Sequence, residues 1–309
     1  MGCKPSDAGS ILPVYNAPLM RAAVIFGLGC PPRSLHPFQQ DSATSWQIGL
    51  PASAGDCDAI LLFGGDGTLH RHLASLVKLD LPVLIVPAGS GNDFARALHL
   101  KNPKDSLAAW RSFEAGAGNI RAIDLGKIIP LHSPALAHYF ASIAGCGLDG
   151  AVARRANALP RWLRARGGYL LSLPAAVRTF QLQAMRLSVA ADNGDFQFHS
   201  DDPAFLIAFA NSPAYGDGMK VAPRARLDDG LLDVCRVGEV GKLNLLRLFP
   251  TVYMGRHLGI PQVTYFTARS LRLEADTPLD IYADGEFVCQ TPVQVEIADC
   301  QWKVIVPAG

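Results

Sequence analysis

"LLFGGDGTLH", residues 61–70, runs from apolar strand residues into two glycines, an aspartate, a third glycine and a threonine. With its upstream neighbours it reads as a short buried strand, "AILLF" (59–63), followed by a helix that places Leu69, Leu73, Leu76 and Val77 on one face. Bare backbone at such a junction lets the chain approach a ligand closely. The helix behind it aims free N–H groups and the positive end of its dipole at that ligand, a geometry that favours phosphate. Thr68, at the start of the helix, either caps it or hands its hydroxyl to a phosphate oxygen. Asp66 is out of place in a pure anion cradle, so a divalent cation, which reverses the local electrostatics, is the better reading for it. On its own, however, "GGDGT" is equally an ordinary tight turn.

One strand later, "PVLIV" (82–86) leads into a second glycine turn, "PAGSGNDFARAL" (87–98), which opens another helix. Leu107, Trp110 and Phe113, spaced by threes, mark a further helix. The β-α-β-α order predicts a parallel sheet with helices outside, and neighbouring parallel strands deliver both turns to the same carboxyl edge, where ligands of open α/β sheets bind. Ser90 and Asn92 are then placed to contact phosphate or base. Asp93 brings a second carboxylate toward Asp66, its alternative role being to cap the helix beginning at Phe94.

The 309 residues, 49% hydrophobic, are enough for one large or two ordinary folded domains with a sizeable core. A formal charge of +1 gives no sign of a nucleic-acid partner. Seven cysteines, odd in number, scattered singly and without any CxxC spacing, argue against both a disulfide framework and a zinc site and fit a reducing cytoplasm. No apolar run approaches the roughly 20 residues of a membrane-spanning helix, so a chain that is soluble or peripheral to a membrane is expected. Met1–Ser6, "MGCKPS", fits the loose pattern for N-terminal acylation with Cys3 as a second site, a pattern common by chance.

After about Asp124 the pattern changes to period-two strands separated by turns, among them "MRLSVA", "AFLIAFA", "LLDVCRV", "LDIYADGEF" and "VQVEIAD". This half is predicted to be a β-sandwich or barrel. Between its strands lies a basic stretch, residues 151–180, helical in pattern until its Gly and Pro breaks and without one acidic residue. It carries Arg154, Arg155, Arg161, Arg164 and Arg166 around Trp162. A solvated cationic helix is the plain reading; arginines with an interfacial Trp also suit docking on anionic lipid. In the first fifty residues only "AAVIF" reads as a strand. "DGE" (284–286) reads first as an Asp-Gly hairpin turn, and "DDG" (228–230) as an ordinary turn.

Taken in order, "GGDGTLH", "PAGSGNDFARAL", "RAIDLG", "FASIAGCGLDG", "MKVAPRARLDDGLLDV" and "YADGEF" resemble the diacylglycerol kinase catalytic family, and within it the soluble bacterial-type lipid kinases, from Asp58 to Pro307. The resemblance implies an NAD kinase/diacylglycerol kinase-like fold. An α/β nucleotide-binding domain over residues 1–125 would be followed by a β-sandwich lipid-substrate domain over 126–300, with a strand near 301–309 returning to the first. It implies ATP and Mg²⁺, with Gly64, Gly65, Asp66, Gly67 and Thr68 holding the phosphates and metal and Ser90 beside the nucleotide. Asp93 and Asp124 would join the carboxylate network, and Glu286 would be the general base for the acceptor hydroxyl. A structural Mg²⁺ site is implied at the Asp229 carboxylate with the backbone carbonyls of Arg226 and Leu231. The acceptor is expected to be diacylglycerol or a related lipid entering an apolar cleft of the β domain. The protein is expected to be cytoplasmic, touching anionic membrane through residues 154–178; a homodimer is left open.

Three departures stand out. The Asn-Pro-x-Ser-Gly turn usual after the first strand is replaced by "GLGCPPRSLHPF", and the distance to "AILLF" reads as if a helix and strand were trimmed. Arg71 stands where the family most often has glutamate, either as a surface charge or as phosphate contact compensating for the lost turn. "YGDGM" (215–219) replaces consecutive glycines. The first motif also occurs in NAD kinases, so an NAD kinase-like enzyme, or a non-catalytic lipid or nucleotide binder, is the alternative.

Overall fold

A computed structural model describes residues 20–309 except Ser90, residues 161–167 and Asp217. Gly2, Cys3, Arg161, Trp162, Arg164 and Arg166 thus lie outside the described residues, as does Ser90.

The first unit is an α/β layer. Its strands are β1 (Arg21–Phe26), β2 (Ser45–Ile48), β3 (Ala59–Gly64), β4 (Val83–Pro87) and β5 (Ile120–Ile123), joined by the C-terminal strand Trp302–Ile305 in the order β2-β1-β3-β4-(302–305)-β5. β1, β2, β3 and β4 pair in parallel, and the C-terminal strand runs parallel to β4 and antiparallel to β5. Every residue of β3 and β4 is buried, as expected for central strands covered on both faces. The first fifty residues hold more structure than their pattern discloses. A one-turn helix α1 (His36–Gln39) and the four-residue strand β2 stand between β1 and β3, too short to register as periodic.

The helices crossing this sheet follow the apolar spacing. In α2 (Asp66–Leu79) Leu69, Leu73 and Leu76 are buried, and the helix ends at Asp80 in the left-handed region, φ 52°. A five-residue helix α3 (Asp93–Ala97) follows β4. α4 (Pro103–Glu114) starts at Asn102, whose side chain accepts from the Lys104 and Asp105 N–H groups while the Asp105 carboxylate accepts from the Lys101 and Asn102 N–H groups.

The chain leaves the first sheet after Ile123 and enters the second unit at β6 (Gly126–Pro130), followed by β7 (His138–Phe140) and β8 (Ile143–Gly147). There follow the short β9 (Gln183–Ala184), β10 (Arg186–Ala190), β11 (Phe196–Ser200), the short β12 (Pro203–Ala204), β13 (Leu206–Ala210), β14 (Leu232–Val237) and β15 (Val263–Ala268). Last come β16 (Ser270–Glu274), β17 (Asp280–Ala283), β18 (Glu286–Gln290) and β19 (Val293–Ile297), before the C-terminal strand, β20. Two antiparallel six-stranded sheets result, β11-β10-β16-β19-β6-β7 and β15-β14-β13-β8-β17-β18. They share one core, in which Ile128, Leu187, Leu271 and Val295 of the first meet Phe209 and Ile281 of the second.

β14 departs from strict alternation, with its first five residues all buried. On its outer side Cys235 packs with Ala222 and Ala225, and Val237 meets a helical layer, α5 (Leu148–Asn157), α6 (Gly168–Thr179) and α7 (Lys242–Tyr253), which builds a satellite core around Leu148, Val152, Leu173 and Phe205. The expectation that Pro breaks the basic helical stretch is corrected in α6, which continues through Pro174.

Trp302 ties the C-terminal strand into the first unit. It is buried beside Phe94 of α3, ring centroids 5.8 Å apart, while its backbone pairs with Ile123. Trp302→Ala is expected to destabilise the protein by about 3–5 kcal/mol, read as a lower urea midpoint. A loss under about 1 kcal/mol would show that β20 is not part of the first unit's core.

Candidate active site

β3 and β4 end level with each other, Gly64 opposite Pro87, so the loops that follow them lie side by side. The Ala88 N–H donates to the Gly64 carbonyl at 3.0 Å. A Cβ on Gly89 would sit 2.6 Å from the Cα of Gly65, so neither loop tolerates a side chain at that point. Gly64 is bare for another reason: a Cβ there would lie 2.6 Å from the Thr68 Cβ. Asn92, at φ 59°, ties its own loop, accepting from the Gly89 N–H at 3.0 Å and donating to the Gly89 carbonyl at 2.7 Å.

Capping differs from the sequence reading. α2 begins at Asp66 with Gly65 as N-cap, so Thr68 sits inside the first turn and is not the cap. α3 begins at Asp93, and the group that satisfies its first donors is Asp66: its carboxylate accepts from the Asp93 and Phe94 N–H groups at 3.0 and 3.2 Å. Asp66 retains some exposed surface, but its carboxyl is turned into the protein. Burial and then the negative Asp93 push it up to about 6, against the two N–H bonds that hold it down. Asp93 is buried, pairs with Arg96, and accepts from the Gly218 N–H at 2.9 Å, reaching into the second unit.

The facing wall is the β17–β18 turn. Asp284 and Gly285 have φ 51° and 86°, two successive left-handed residues, so the hairpin reading of "DGE" holds as structure. Asp284 is an anchor: its carboxylate accepts from the N–H groups of Ala141, Ser142 and Ile143 at 2.9, 2.9 and 3.2 Å. Glu286 is exposed and overhangs the start of α2, where a Cβ on Gly67 would be 3.4 Å from its Oε1.

These walls enclose a cleft of about 680 Å³ that gathers Gly64, Gly65, Asp66, Gly67, Thr68, Asp93 and Glu286. Arg71, exposed, lines it too, as do Leu28 and Cys30 of the post-β1 turn. Asp149, Tyr215 and Tyr282 also line it. Sequence reasoning singled out none of these three, though the quoted "GLDG", "YGDGM" and "YADGEF" contain them. The Tyr215 hydroxyl donates to the Asp149 carboxylate, and both residues also border a smaller apolar slot of about 80 Å³ beneath α5, α6 and α7, lined by Val152, Leu173, Val237 and Phe249.

Asp124 is not brought to the cleft. It is buried where the two units join, accepting from the Gly230 N–H at 2.7 Å and from Gln301 at 3.4 Å. The adjoining loop holds Arg226, whose guanidinium pairs with Asp228 at 3.5 Å, and the exposed Asp229, which accepts from the Leu231 N–H at 3.1 Å. Among the described residues no three His, Cys, Asp or Glu side chains converge as metal ligands, and no helix is long and apolar enough to cross a membrane.

Residues 40–128 match the diacylglycerol kinase catalytic domain, and residues 142–306 match the YegS C-terminal NAD kinase beta sandwich-like domain. The chain is 32% identical over 258 residues to a diacylglycerol kinase of Mycobacterium tuberculosis, covering 83% of this chain and 79% of that one. In fold it is similar to a diacylglycerol kinase from Bacillus anthracis, with TM-score 0.64, 19% identity, and 94% and 98% of the two chains covered. It is also similar to an NAD kinase from Archaeoglobus fulgidus solved with ATP, with TM-score 0.52, 13% identity, and 93% and 94% covered. The 32% identity over most of both chains and the two matching domain models, consistent with the abutting glycine loops and the facing acidic hairpin, place the chain in the diacylglycerol kinase family of lipid kinases.

Proposed function

We propose that the protein transfers the γ-phosphoryl group of ATP to a hydroxyl of a lipid, with diacylglycerol the first acceptor to test. The observation that carries this reading is Glu286, a carboxylate set over the first turn of α2, where the helix leaves N–H donors without intrahelical partners. Phosphates held by those donors and by the Gly64–Thr68 backbone would present the γ-phosphorus toward the facing wall. Glu286 would take the proton from the acceptor hydroxyl as its oxygen attacks. Asn92 acts here by keeping the second loop closed. Asp284, next in the same turn and also lining the cleft, is the alternative for the base role.

The residues fit a hard cation. Asp66 and Asp93 offer only oxygen, and the charge on Asp93 raises Asp66, a repulsion that a divalent ion relieves. Asp66 and Asp93 would hold Mg²⁺, which when bound neutralises phosphate charge. Asp124 would act at a distance, pinning the 227–230 loop. The Asp229 carboxylate, with the carbonyls of Arg226 and Leu231, suits a second, partly hydrated oxygen site.

The acceptor would reach the cleft from the membrane side of the β unit, its acyl end against the apolar slot. The helical roof fits an anionic surface. Residues 150–191 and 240–273, which contain α6, α7 and all but the first turn of α5, include no Asp or Glu. Leu171 and Leu243 are exposed on adjacent helices, and Lys242 reaches across to donate to the Arg178 carbonyl at 3.0 Å. Each basic residue near such a surface contributes about 1 kcal/mol.

Glu286→Gln is expected to lower kcat for labelled-ATP transfer to diacylglycerol by about 10²- to 10⁴-fold while leaving ATP affinity unchanged. Unaltered turnover would move the base role to Asp284 or elsewhere, and label entering NAD alone would overturn the lipid reading. Gly89→Ala should push the two loops apart and weaken ATP binding by at least about tenfold, or ~1.4 kcal/mol; normal affinity would mean the nucleotide does not use this junction. In vesicle sedimentation, binding should rise with anionic lipid and fall with salt, and indifference to both would rule out docking through the helical roof.

A further inference from the structure

His70 belongs to the opening motif, yet the proposed chemistry leaves it without a task. It lies on α2 one turn beyond Gly67, and helix positions three apart share a face. The β17–β18 turn follows that same face: Glu286 overhangs Gly67, and Asp284 lies beside His70, with His70 Nδ1 3.5 Å from Asp284 Oδ2. The side chains are only 17% and 3% exposed, so water screens the pair weakly. The distance is that of an ion pair rather than a short hydrogen bond, and contacts of this kind commonly tighten once substrates close the site.

The other partners of Asp284 are backbone N–H groups of residues 141–143, all in the turn's own unit. They fix the turn to the β-sandwich through residues 141–143, of which Ala141 also packs into the first unit's core; none of them comes from α2. His70 belongs to the opposite wall. It faces Asp284 and Glu286 from the turn and His138 from β7. Burial, the largest influence, favours the neutral ring, but the Asp284 carboxylate and then Glu286 outweigh it and raise the imidazole above its ordinary value. The ion pair is therefore fully formed on the acid side and weakens as pH rises through that raised value.

We infer that His70 is a positioning residue: by holding Asp284 across the cleft, it fixes the turn that carries Glu286 over the start of α2. This rests on the assignment of Glu286 as base. It differs from a packing role for the imidazole, which would affect folding or nucleotide binding without acting through Glu286.

The test uses the full-length chain with labelled ATP and diacylglycerol in mixed micelles, comparing wild type, His70→Ala, His70→Asn, Glu286→Gln and the double variant His70→Ala/Glu286→Gln. His70→Ala should lower kcat roughly tenfold to a hundredfold, as displacement of a catalytic group does, with the ATP KM unchanged. His70→Asn, which keeps an N–H near the Nδ1 position, should recover most of the rate. In the Glu286→Gln background His70→Ala should cost nothing further. Amide exchange at residues 285–287 should accelerate in His70→Ala and return toward wild type in His70→Asn. An undiminished kcat, an equal loss in both backgrounds, a KM that rises in step with the kcat loss, or unchanged exchange would each overturn the positioning role. If Glu286→Gln alone keeps full turnover while exchange still responds to His70, the base assignment fails and the cross-cleft contact stands.

Discussion

Two strands ending at the same height impose the constraint on which the site depends. Because β3 and β4 pair in parallel with Gly64 opposite Pro87, their loops collide unless both are bare, and Gly65 and Gly89 meet backbone to backbone. From that contact the rest follows by short bonds. Asp66, one residue on, caps α3; α3 presents Asp93; Asp93 accepts from Gly218 of the β unit. A side chain at the junction would displace the start of this series, since there the loops meet backbone to backbone.

The β-sandwich is joined to this edge at several separate points, each of them a carboxylate meeting backbone N–H groups or a cation. Asp124 joins the units below the cleft, Asp93 bridges them at its side, and Asp284 lies opposite α2. Charge is divided accordingly. Carboxylates crowd the cleft, while the helical roof above the apolar slot is almost free of acids. The phosphate donor and the apolar acceptor proposed above would thus meet surfaces of opposite character, with Asp149 and Tyr215 at the point where the cleft and slot adjoin.

Much of this was legible in the chain. Leu69, Leu73 and Leu76 announce α2, the glycine loops announce the sheet edge, and alternating strands announce the sandwich. The Asp-Gly pair at 284–285 gives the turn because only left-handed backbone suits it. What stayed hidden was contact between distant segments. Asp66 reads as a ligand, while the structure shows it as a cap, because its partners are N–H groups 27 and 28 residues away. Asp124 reads as part of the cluster but is drawn off by Gly230, and no local pattern reports which of two loops a carboxylate will meet. His70 looked like any polar residue on a helix until the turn was laid against it. α1 and β2 are too short for periodicity to register.

The most direct test is a crystal structure with a non-hydrolysable ATP analogue and Mg²⁺. The triphosphate should lie over the Gly64–Thr68 backbone beside residues 88–92, with the ion near Asp66 and Asp93 and the terminal phosphate facing Glu286. Phosphates seated elsewhere, or a terminal phosphate turned away from the β17–β18 turn, would contradict the assignment of this cleft as the site of phosphoryl transfer.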